Sequence, residues 1–405
     1  MSQKVAVIGG GAAGFFAAIS CKEHFPESEV VIYEKTTKLL SKVKVSGGGR
    51  CNVTNACQGN GQFARHYPRG EKQLKKAFSQ FSSIDTINWF EEKGVKLKAE
   101  ADGRMFPITD DSQTIIDCLM HTARRLGVAI HLSEPVNTLQ PVGDGIELTT
   151  AHGRFLFNKV IVTSGGSPKA EGFDWLKALG HEIVPPVPSL FTFNMPGNPI
   201  TQLMGLSVPN ASVRIQGTKL MQQGPLLITH WGMSGPAVLK TSAWGARILN
   251  ELNYQFTAHM NWLGEMKDVE LREVLHEAAD SFPKKQMKNH CPFDIPQRLW
   301  EYLLKEAQIE LERPWAELSK KHVNRLIELL TNHQHKVSGK TTFKEEFVTA
   351  GGIALSDVDF NTMESRVVSG LYFAGEVLNI DGVTGGFNFQ AAWTTAHIAG
   401  KHCLA

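Results

Sequence analysis

Apolar positions near the start of the chain form short β-branched runs separated by a glycine-rich turn. Lys4–Ile8 is such a run, and it predicts a strand buried on both faces of a parallel sheet. The turn Gly9-Gly10-Gly11-Ala12-Ala13-Gly14 follows it, and then Phe15–His24 predicts a helix. Glu29–Tyr33 predicts a second strand, which leads to Glu34. This order predicts a β–α–β unit of the Rossmann type.

The glycines of the turn have the spacing GxGxxG, and each has a separate role in binding a dinucleotide. Gly9 permits the sharp turn, Gly11 lets the backbone approach a pyrophosphate, and Gly14 allows close packing of helix on strand. The helix N-terminus offers N–H groups and the positive end of a dipole. Glu34 stands 20 residues after Gly14, where a carboxylate accepts hydrogen bonds from a ribose. An acid at this position favours FAD or NAD over NADP.

A second glycine cluster, Ser46-Gly47-Gly48-Gly49-Arg50-Cys51-Asn52, follows a basic stretch. That stretch contains Lys35, Lys38, Lys42 and Lys44. Consecutive glycines can turn their N–H groups toward a ligand, and Arg50 could pair with a phosphate or a substrate carboxylate. The alternative is a flexible surface loop.

Two later segments add strands and glycines to the same pattern. Lys159–Thr163 predicts a strand that leads into Ser164-Gly165-Gly166. Leu371–Glu376 predicts a strand that ends at a glycine and an acid, and Asp381-Gly382 and Gly385–Gln390 follow before the predicted helix Ala391–His402. The acid could hold ribitol hydroxyls, and the helix N-terminus could face a flavin pyrimidine and stabilise its negative charge. A nicotinamide enzyme has no need of such a returning C-terminus, so this segment favours FAD.

Composition is that of a globular protein with little net charge. Lys and Arg number 42 against 40 Asp and Glu, a net charge of +2, which is unlike a dedicated nucleic-acid binder. The six cysteines are scattered and predict a reducing, cytoplasmic environment rather than a disulfide framework. No segment has the roughly 18 uninterrupted apolar residues that a membrane span requires, so no membrane association is expected.

The middle of the chain changes character twice. Pro185-Pro186-Val187-Pro188 predicts a domain boundary. From Leu190 to Leu227 the pattern is β-like, and from Lys267 to Leu330 it is helical. The helical part carries a basic group consisting of Lys284, Lys285, Lys288, Lys320, Lys321 and Arg325. A solvated helix face explains these charges more simply than an RNA or anionic partner does.

Several blocks together resemble the BaiN-like family of NAD(P)/FAD-dependent oxidoreductases, a branch of the two-dinucleotide-binding-domain flavoproteins. The matching blocks are Gly9–Gly14, Ser46–Asn55 (SGGGRCNVTN), Asp102–Pro107 (DGRMFP), Thr229–Pro236 (THWGMSGP) and Leu371–Gln390. Members usually have Ala-Thr-Gly-Gly and then a longer loop, whereas this chain has Thr163-Ser164-Gly165-Gly166 followed at once by Ser167-Pro168.

The resemblance implies an α/β fold in three pieces. A Rossmann-like FAD-binding domain would comprise residues 1–189 and 343–405, an inserted β-barrel-like domain 190–266 and 335–342, and a small helical domain 267–334. Motifs and resemblance together predict a set of cofactor-binding residues: Gly9, Gly11, Ala12, Ala13, Gly14, Glu34, Lys35, Lys42, Ser46, Gly47, Gly48, Arg50, Cys51, Asn52, Ser164, Gly165, Gly166, Gly375, Glu376, Asp381, Gly385, Gly386, Phe387 and Asn388.

Candidate chemistry is sparser than the cofactor signal. Arg104 and His230 are the predicted catalytic residues, because a flavin reductase needs a donor to polarise its acceptor and a proton source. A structural role remains the alternative for both. Cys51 and Cys57 have five residues between them, not the four of flavin disulfide reductases, so Cys51 is expected to be a neutral thiol near the flavin. No metal site is predicted, since His333 and His335 lack a nearby Cys or acid.

The sequence therefore predicts an FAD-dependent oxidoreductase acting on a small molecule. The favoured reaction is reduction of an activated C=C or C=N bond in a cyclic or conjugated substrate by hydride from flavin N5, with NAD(P)H as a transient electron donor. The alternatives are an amine-type oxidase using oxygen and a flavin-dependent protein that modifies RNA bases. No second GxGxxG unit indicates a dedicated NAD(P) domain.

Overall fold

The computed structural model describes residues 2–341 and 348–405. The strands in chain order are β1 (Lys4–Ile8), β2 (Glu29–Tyr33), β3 (Thr54–Asn55), β4 (Leu97–Ala99), β5 (Arg104–Pro107), β6 (Ala129–His131), β7 (Thr138–Val142), β8 (Gly145–Thr150), β9 (Gly153–Phe157), β10 (Lys159–Val162), β11 (Ile183–Ser189), β12 (Thr192–Asn194), β13 (Ser207–Ile215), β14 (Met221–Thr229), β15 (Gly232–Ser234), β16 (Gln255–Asn261), β17 (His333–Ser338), β18 (Lys340–Thr341), β19 (Val348–Ile353), β20 (Val358–Asp359), β21 (Glu364–Ser365) and β22 (Leu371–Phe373).

The helices in chain order are α1 (Ala12–His24), α2 (Ser41–Gly49), α3 (Asn60–Ala64), α4 (Glu71–Ala77), α5 (Ser83–Glu92), α6 (Gln113–Arg125), α7 (Asp174–Lys177), α8 (Pro236–Trp244), α9 (Ala246–Glu251), α10 (Asp268–Ser281), α11 (Gln297–Glu306), α12 (Lys320–Thr331) and α13 (Phe387–His402). Helix α1 begins three residues before the predicted Phe15, and α13 begins four before the predicted Ala391. In both cases the glycine-rich turn is shorter than the sequence suggested, because α1 starts directly after Gly11 and includes Gly14, and α13 starts directly after Gly386.

The chain forms two compact units, which divide between Ser189 and Leu190. The described part of the first unit is residues 2–189 with 348–405, and that of the second is 190–341. The predicted return to the first domain at 342/343 lies outside the described residues. The predicted three-way division into domains stays a prediction.

A parallel sheet forms the centre of the first unit. Its strand order is β20-β21-β22-β10-β1-β2-β6 among the described residues, and the five strands from β22 to β6 are parallel. Strands β1, β2, β10 and β22 lie where the apolar runs predicted strands, and the α/β Rossmann fold class is confirmed. The carboxyl ends of these parallel strands meet at one edge of the sheet, which is where ligands bind in such folds.

Helices α1 and α13 pack closely beside this sheet. A Cβ on Gly400 of α13 would lie 2.5 Å from the Ala17 carbonyl oxygen and 2.7 Å from Ser20 Cβ of α1. Only glycine permits this approach. The C-terminal segment is thus fixed to the first helix of the chain, and the two helices belong to one core.

The prolines predicted to mark a boundary are part of a strand instead. Pro185, Pro186 and Pro188 lie in β11, which pairs antiparallel with β19 and is interrupted by an irregularity between Val184 and Val187. A proline is tolerated here because an edge ladder with a bulge leaves some N–H positions unpaired. The predicted boundary lies directly after this strand, since the two units divide between Ser189 and Leu190.

The second unit is built on an antiparallel sheet with helices. Within residues 190–341 the sheet order is β17-β16-β13-β14-β15-β12-β18. The edge strands β17 and β18 are consecutive in the chain, separated only by Gly339, and the Asn194 N–H donates to the Gly339 carbonyl oxygen at 3.1 Å. The sheet therefore curls back on itself in a barrel-like manner. Apolar residues of the sheet and of α10–α12 share one buried core, which includes Val213, Met260 and Trp300.

Candidate cofactor site

Among the glycines of the GxGxxG turn, Gly11 is the one with open space where a side chain would lie.

 A Cβ on Gly11 would meet no atom within 4 Å, whereas one on Gly9 would lie 2.5 Å from the Thr163 carbonyl oxygen. On Gly14 it would lie 1.8 Å from the Gly9 carbonyl oxygen, so Gly14 is needed for the packing of α1 on β1. No side chain caps the N-terminus of α1. Its first-turn N–H groups, which include those of Ala12 and Ala13, are thus available to an anion.

Glu34 follows β2 at the same edge of the sheet. Its Oε2 accepts a hydrogen bond from the Gly10 N–H at 2.8 Å, and its Oε1 accepts from the Thr36 N–H at 2.9 Å. These bonds fix the carboxylate beside the glycine turn, in the position predicted for a ribose ligand. Lys35, the next residue, is exposed.

The SGGGRCN block forms the end of α2 and a left-handed turn. Ser46 leaves the helical conformation, and Gly47 and Gly48 follow with φ of 59° and 69°. A Cβ on Gly47 would lie 2.9 Å from Phe106 Cε1, whereas one on Gly48 would meet nothing within 4 Å. One side of the turn is therefore packed on the protein and the other is open.

Cys51 ends this turn and is fully buried. Its φ is 59°, its side chain is 0% exposed, and burial raises the pKa of its thiol to about 12. Burial also raises the pKa of Cys57. Both thiols are free. A protonated Cys51 agrees with the expected neutral thiol rather than with a redox nucleophile.

The residues after Cys51 join the second glycine block to the last one. Thr54 Oγ1 donates to Gln390 Oε1 at 2.6 Å, and Asn55 Nδ2 donates to the Gly385 carbonyl oxygen at 3.1 Å. With its amide oriented to satisfy both groups, Asn52 accepts from the Gly386 N–H at 2.9 Å. The two family blocks that lie more than 300 residues apart in sequence therefore meet at the N-terminus of α13.

Glu376 lies just after β22 and contacts two other residues that were predicted to bind the cofactor, Lys42 and Gly166. Its Oε2 accepts from Lys42 Nζ at 2.6 Å, and its Oε1 accepts from the Thr349 N–H at 2.9 Å. A Cβ on Gly166 would lie 2.9 Å from Glu376 Oε1. A Cβ on Gly375 would lie 2.8 Å from the Ala13 Cβ. The turn after β22 thus packs directly against the first turn of α1.

The loop after β10 is the part of the site in which this chain departs from its family pattern. Ser164 is exposed, and Gly165 has a φ of 77° with open space where its Cβ would point. The loop is short and leads within a few residues to a 3-10 turn at Ala170–Phe173. The shorter loop leaves the glycines at the same sheet edge as Gly9 and Glu376.

Arg50 and Arg104 lie beside each other around one buried ring. Their guanidinium carbons are 4.0 Å and 5.6 Å from the ring centre of Phe106. Glu100 accepts from both, at 2.7 Å from Arg50 and 2.8 Å from Arg104. Asp102 pairs with Arg104 at 2.7 Å. The SGGGRCN and DGRMFP blocks therefore form one basic cluster, in which carboxylates balance the two guanidinium charges.

Asp381 is placed differently from the direct cofactor ligand that the sequence predicted. It is 0% exposed, it forms an ion pair with Arg69, and it accepts from Ser189 Oγ at 2.7 Å. Burial raises the pKa of its carboxyl, and the Arg69 guanidinium opposes that shift. Its carboxylate is thus bound by Arg69 and Ser189 inside the protein, and these contacts fix the loop before α13.

Sequence reasoning missed the segment His66–Gly70, which contacts this loop at several points. The Val383 N–H donates to the His66 carbonyl oxygen at 2.9 Å, and Tyr67 Oη donates to the Phe387 carbonyl oxygen at 2.6 Å. The His66 ring stacks on Phe387 with centroids 4.2 Å apart. We call this segment the brace. Its Tyr-Pro-Arg-Gly composition gives no local signal, because its partners lie about 320 residues away.

Asn388 completes the support of the same loop. Its Oδ1 accepts from the Gly382 N–H at 2.8 Å, and its Nδ2 donates to the Gly382 carbonyl oxygen at 2.9 Å. Gly386, with a φ of 91°, approaches the Thr54 backbone so closely that a Cβ would lie 2.4 Å from its oxygen. No side chain caps the N-terminus of α13.

His230 belongs to the second unit. It is exposed in the turn between β14 and β15, and its ring lies edge-on to Trp231 with centroids 4.4 Å apart. In the same unit His333 and His335 are buried in the core with ring centroids 4.1 Å apart. In residues 2–341 and 348–405 no group of three or more His, Cys, Asp or Glu side chains could hold a metal ion.

The described residues fit FAD at both of its ends. A Cβ on Gly11, Gly48 or Gly165 would meet no protein atom within 4 Å, so these positions leave space for a ligand. Neither α1 nor α13 has a side-chain cap at its N-terminus. Glu34 is available for a ribose. Together these features define a Rossmann-fold flavoenzyme that binds FAD.

The sequence profile described as "HI0933-like protein Rossmann domain" matches residues 3–402, so the chain belongs to the HI0933-like family. The expected family is confirmed, and the protein is an FAD-dependent oxidoreductase. A search of the described helices finds none that is long and apolar enough to cross a membrane.

Two curated relatives align over nearly their whole length. The chain is 27% identical to the 3-dehydro-bile acid delta(4,6)-reductase of Clostridium scindens, over 98% of each chain. It is 28% identical to the ribosomal RNA dihydrouridine synthase of Escherichia coli, over 98% of this chain and 97% of that one. A similar relative with the latter description occurs in Haemophilus influenzae at 27% identity.

Two solved structures share the fold. The 3-ketosteroid delta1-dehydrogenase of Sterolibacterium denitrificans matches with a TM-score of 0.51 and 12% identity over 99% of both chains. The FrdA subunit of E. coli quinol fumarate reductase matches with a TM-score of 0.51 and 13% identity over all of this chain and 70% of that one. At these identities the likeness concerns the fold alone.

Proposed function

We propose that the protein reduces a C=C bond conjugated to a carbonyl group in a cyclic substrate, with hydride from flavin N5 and NAD(P)H as the donor. The observation that carries this proposal is the pair of full-length relatives with different substrates. The description of one relative names a reductase of a 3-dehydro steroid, and that of the other names the formation of dihydrouridine. Both reactions saturate a ring C=C bond near a carbonyl, so this bond type is the chemistry that the two relatives have in common.

The reaction balances as one hydride and one proton added to the substrate. When bound and reduced, FAD would supply the hydride to the β-carbon, and NAD(P)H would restore its reducing equivalents. The α-carbon receives a proton, and the carbonyl oxygen gains negative charge until that proton arrives. The protein must therefore provide a donor for the oxygen and an acid for the carbon.

In this proposal the chain's own residues hold the cofactor and polarise the substrate. The uncapped N-terminus of α13 would stabilise negative charge at the flavin pyrimidine. Arg104 would donate to the substrate carbonyl, since a guanidinium remains charged and presents several N–H groups. Its pairs with Glu100 and Asp102 are half-exposed, so a substrate oxygen could compete with them. His230, the other residue predicted to be catalytic, belongs to the second unit, and its role as a proton donor stays a prediction.

The donor is tested by recording the visible flavin spectrum without oxygen before and after NADH or NADPH is added. Bleaching of the flavin absorbance within the time of manual mixing supports a nicotinamide donor. A spectrum that stays oxidised with both nucleotides contradicts that part of the proposal. The amine-type oxidase alternative predicts instead that amines bleach the flavin and that oxygen restores its colour.

The acceptor is tested by adding candidates to the reduced protein and following the return of the oxidised spectrum. A 3-oxo-4,6-diene steroid and uridine-containing RNA are the two test acceptors. The saturated steroid and dihydrouridine-containing RNA are matched controls that lack the bond. Reoxidation by neither unsaturated acceptor, nor by a simple cyclic enone, would overturn the proposed bond type.

The RNA acceptor is a second candidate, favoured by the two relatives described as ribosomal RNA dihydrouridine synthases. Lys284, Lys285, Lys320 and Lys321 are exposed in the second unit and offer positive charge. Two other members of the basic group are already paired, Lys288 with Glu312 and Arg325 with Glu328. If RNA is the substrate, retention of RNA should fall steeply as salt is raised, and changing these lysines to Ala should reduce the salt slope. RNA binding that is absent at low salt would exclude this candidate.

A further inference from the structure

Two cysteines from opposite ends of the chain lie in contact in the first unit. Cys21 is near the end of α1, and Cys403 directly follows α13. Their sulfur atoms are 3.4 Å apart, and the side chains are 0% and 1% exposed. Both are free thiols. A small movement of either side chain would bring the two sulfurs to bonding distance.

The contact lies at the ends of the two helices that point away from the cofactor site. Gly11 and Gly386 are the N-caps of α1 and α13. Cys21 is ten residues after Gly11 and Cys403 is 17 after Gly386, which correspond to about 15 Å and about 25 Å along a helix. A change at the sulfurs therefore leaves the groups that face FAD in place.

The surroundings favour one of the two sulfurs as a nucleophile. The Cys403 thiol donates toward the Cys21 sulfur and lowers the pKa of Cys21, and the Ser28 hydroxyl and Lys22 act in the same direction against burial. The pKa of Cys403 is raised by the same contact and by burial. All six cysteines lie in the described residues, and the other four have raised pKa values. Cys21 is therefore the cysteine best suited to react.

We propose that Cys21 and Cys403 are a reversible oxidation site that forms a disulfide between α1 and α13 when the protein meets hydrogen peroxide. The Cys21 thiolate attacks one peroxide oxygen, the O–O bond breaks, and the products are a sulfenic acid and, after protonation, water. The Cys403 sulfur then attacks the Cys21 sulfur, loses its proton, and releases a second water. Two thiols and one peroxide thus give one disulfide and two waters.

The disulfide would be a covalent cross-link between the two ends of the FAD-binding unit's sequence. It joins residues that are 382 positions apart in sequence, so it strongly restricts the unfolded chain and stabilises the fold. The packing of Gly400 on Ala17 and Ser20 already holds the two helices in the required geometry. Oxidation should therefore raise the melting temperature and leave FAD binding unchanged.

The test treats the purified holoprotein with hydrogen peroxide, removes the peroxide, and counts thiols under denaturing conditions. The expected result is a fall from six free thiols to four, with one non-reduced peptide pair that contains both Cys21 and Cys403. Dithiothreitol should restore all six thiols and the original melting temperature. Six thiols after treatment, or a cross-link between other cysteines, would overturn the proposal.

Two variants separate this site from general oxidation. Cys403→Ser should form no cross-link and, because the serine hydroxyl can still donate to the Cys21 sulfur, should accumulate a Cys21 sulfenic acid that dimedone labels. Cys118→Ala is the matched control, since Cys118 is partly buried on α6 and should leave the cross-link intact. A peroxide-treated Cys403→Ser protein that is labelled no more strongly than the untreated parent would contradict Cys21 as the nucleophile, whatever the stability of the variant.

Discussion

At the scale of single residues, the site is defined as much by missing side chains as by present ones. Gly11 points into open space, whereas Gly9 and Gly14 are pressed against backbone atoms. Only the first kind of glycine can be replaced without disturbing the fold of the protein alone. Replacements at Gly11 therefore separate cofactor binding from folding.

We expect Gly11→Val to fold but to lose FAD. A branched side chain would occupy the space that a pyrophosphate needs, while it would meet no protein atom nearby. The measurements are the ratio of flavin to protein absorbance after purification and the circular dichroism of the apoprotein. Gly61→Val, at an ordinary backbone conformation on α3, is the control and should retain FAD. A Gly11→Val protein with full flavin would remove this turn from the cofactor site.

Arg104→Ala should retain FAD and lose turnover by about a hundredfold, the usual effect of removing one donor from a developing oxyanion. The reason is that Arg104 is proposed to hold the substrate carbonyl and not the cofactor. The measurement is kcat/KM with an accepted enone, together with the flavin content. Lys98→Ala is the control, because the Lys98 ammonium pairs with Asp110 in the same cluster, whereas Arg104 pairs with Glu100 and Asp102. Unchanged turnover in Arg104→Ala would exclude it from catalysis.

At the scale of elements, the loop before α13 is held by two neighbours, the brace and strand β3. The brace contacts it through His66, Tyr67 and Arg69, and β3 contacts it through Thr54. Asp381 lies at the centre of these contacts and is wholly buried. The N-terminus of α13 is thus positioned by segments that are distant in sequence, and its geometry depends on a buried ion pair.

Arg69→Met should destabilise the first unit by about 3–5 kcal/mol, because it leaves the Asp381 carboxylate buried without its partner. FAD should also dissociate faster, since the loop before α13 loses its support. The measurements are urea unfolding and the rate of flavin release. Arg325→Ala removes a half-exposed pair on α12 and should cost less than about 1 kcal/mol.

A double variant tests whether the pair itself is responsible. Arg69→Met with Asp381→Asn removes both charges, so it should be more stable than Arg69→Met alone. If the stability that the double variant loses relative to the parent equals the sum of the losses in Arg69→Met and Asp381→Asn, the residues act independently and the proposed role of the pair is wrong.

The sequence predicted those elements whose signal is local. Strands β1, β2, β10 and β22 are continuous apolar runs, and the glycines at their carboxyl ends marked the cofactor edge. The brace could not be predicted, because Tyr67 contributes through a bond to Phe387 that no periodicity encodes. Asp381 was predicted as a direct ligand since a lone acid in a glycine-rich loop gives no sign of a buried arginine partner. Pro185–Pro188 predicted a domain boundary, and the two units divide directly after them, but strand β11 that contains them could not be predicted because prolines are rare in strands.

At the scale of the whole molecule, buried histidines govern the expected response to acid. The net charge is only +2, so general charge repulsion is weak near neutral pH. Burial lowers the pKa of His333 and His397 to about 4, and burial together with His333 lowers the pKa of His335 to about 2. Each unit therefore contains at least one histidine that is neutral when folded.

We expect the free energy of unfolding to fall as the pH is lowered from 7 to 5. At a pH above 6.5, the ordinary pKa of histidine, these histidines are neutral in both the folded and the unfolded chain, so the full free energy of unfolding is present. Below it the unfolded chain binds them while the folded chain does not until about pH 4 for His333. The loss at about pH 5 should be of the order of 2 kcal/mol for each fully buried histidine. Urea unfolding at the two pH values measures it.

The variant His335→Gln tests whether this histidine causes the change in the free energy of unfolding between pH 7 and pH 5. Glutamine has no charge at either pH, so the variant should lose about 2 kcal/mol less than the parent between pH 7 and pH 5, even if it is less stable at both. His121→Gln, which replaces an exposed histidine on α6, is the matched control. An unchanged slope in His335→Gln would mean that protons bind elsewhere on acidification, and the buried pair His333 and His335 would then have no part in the acid response of the second unit.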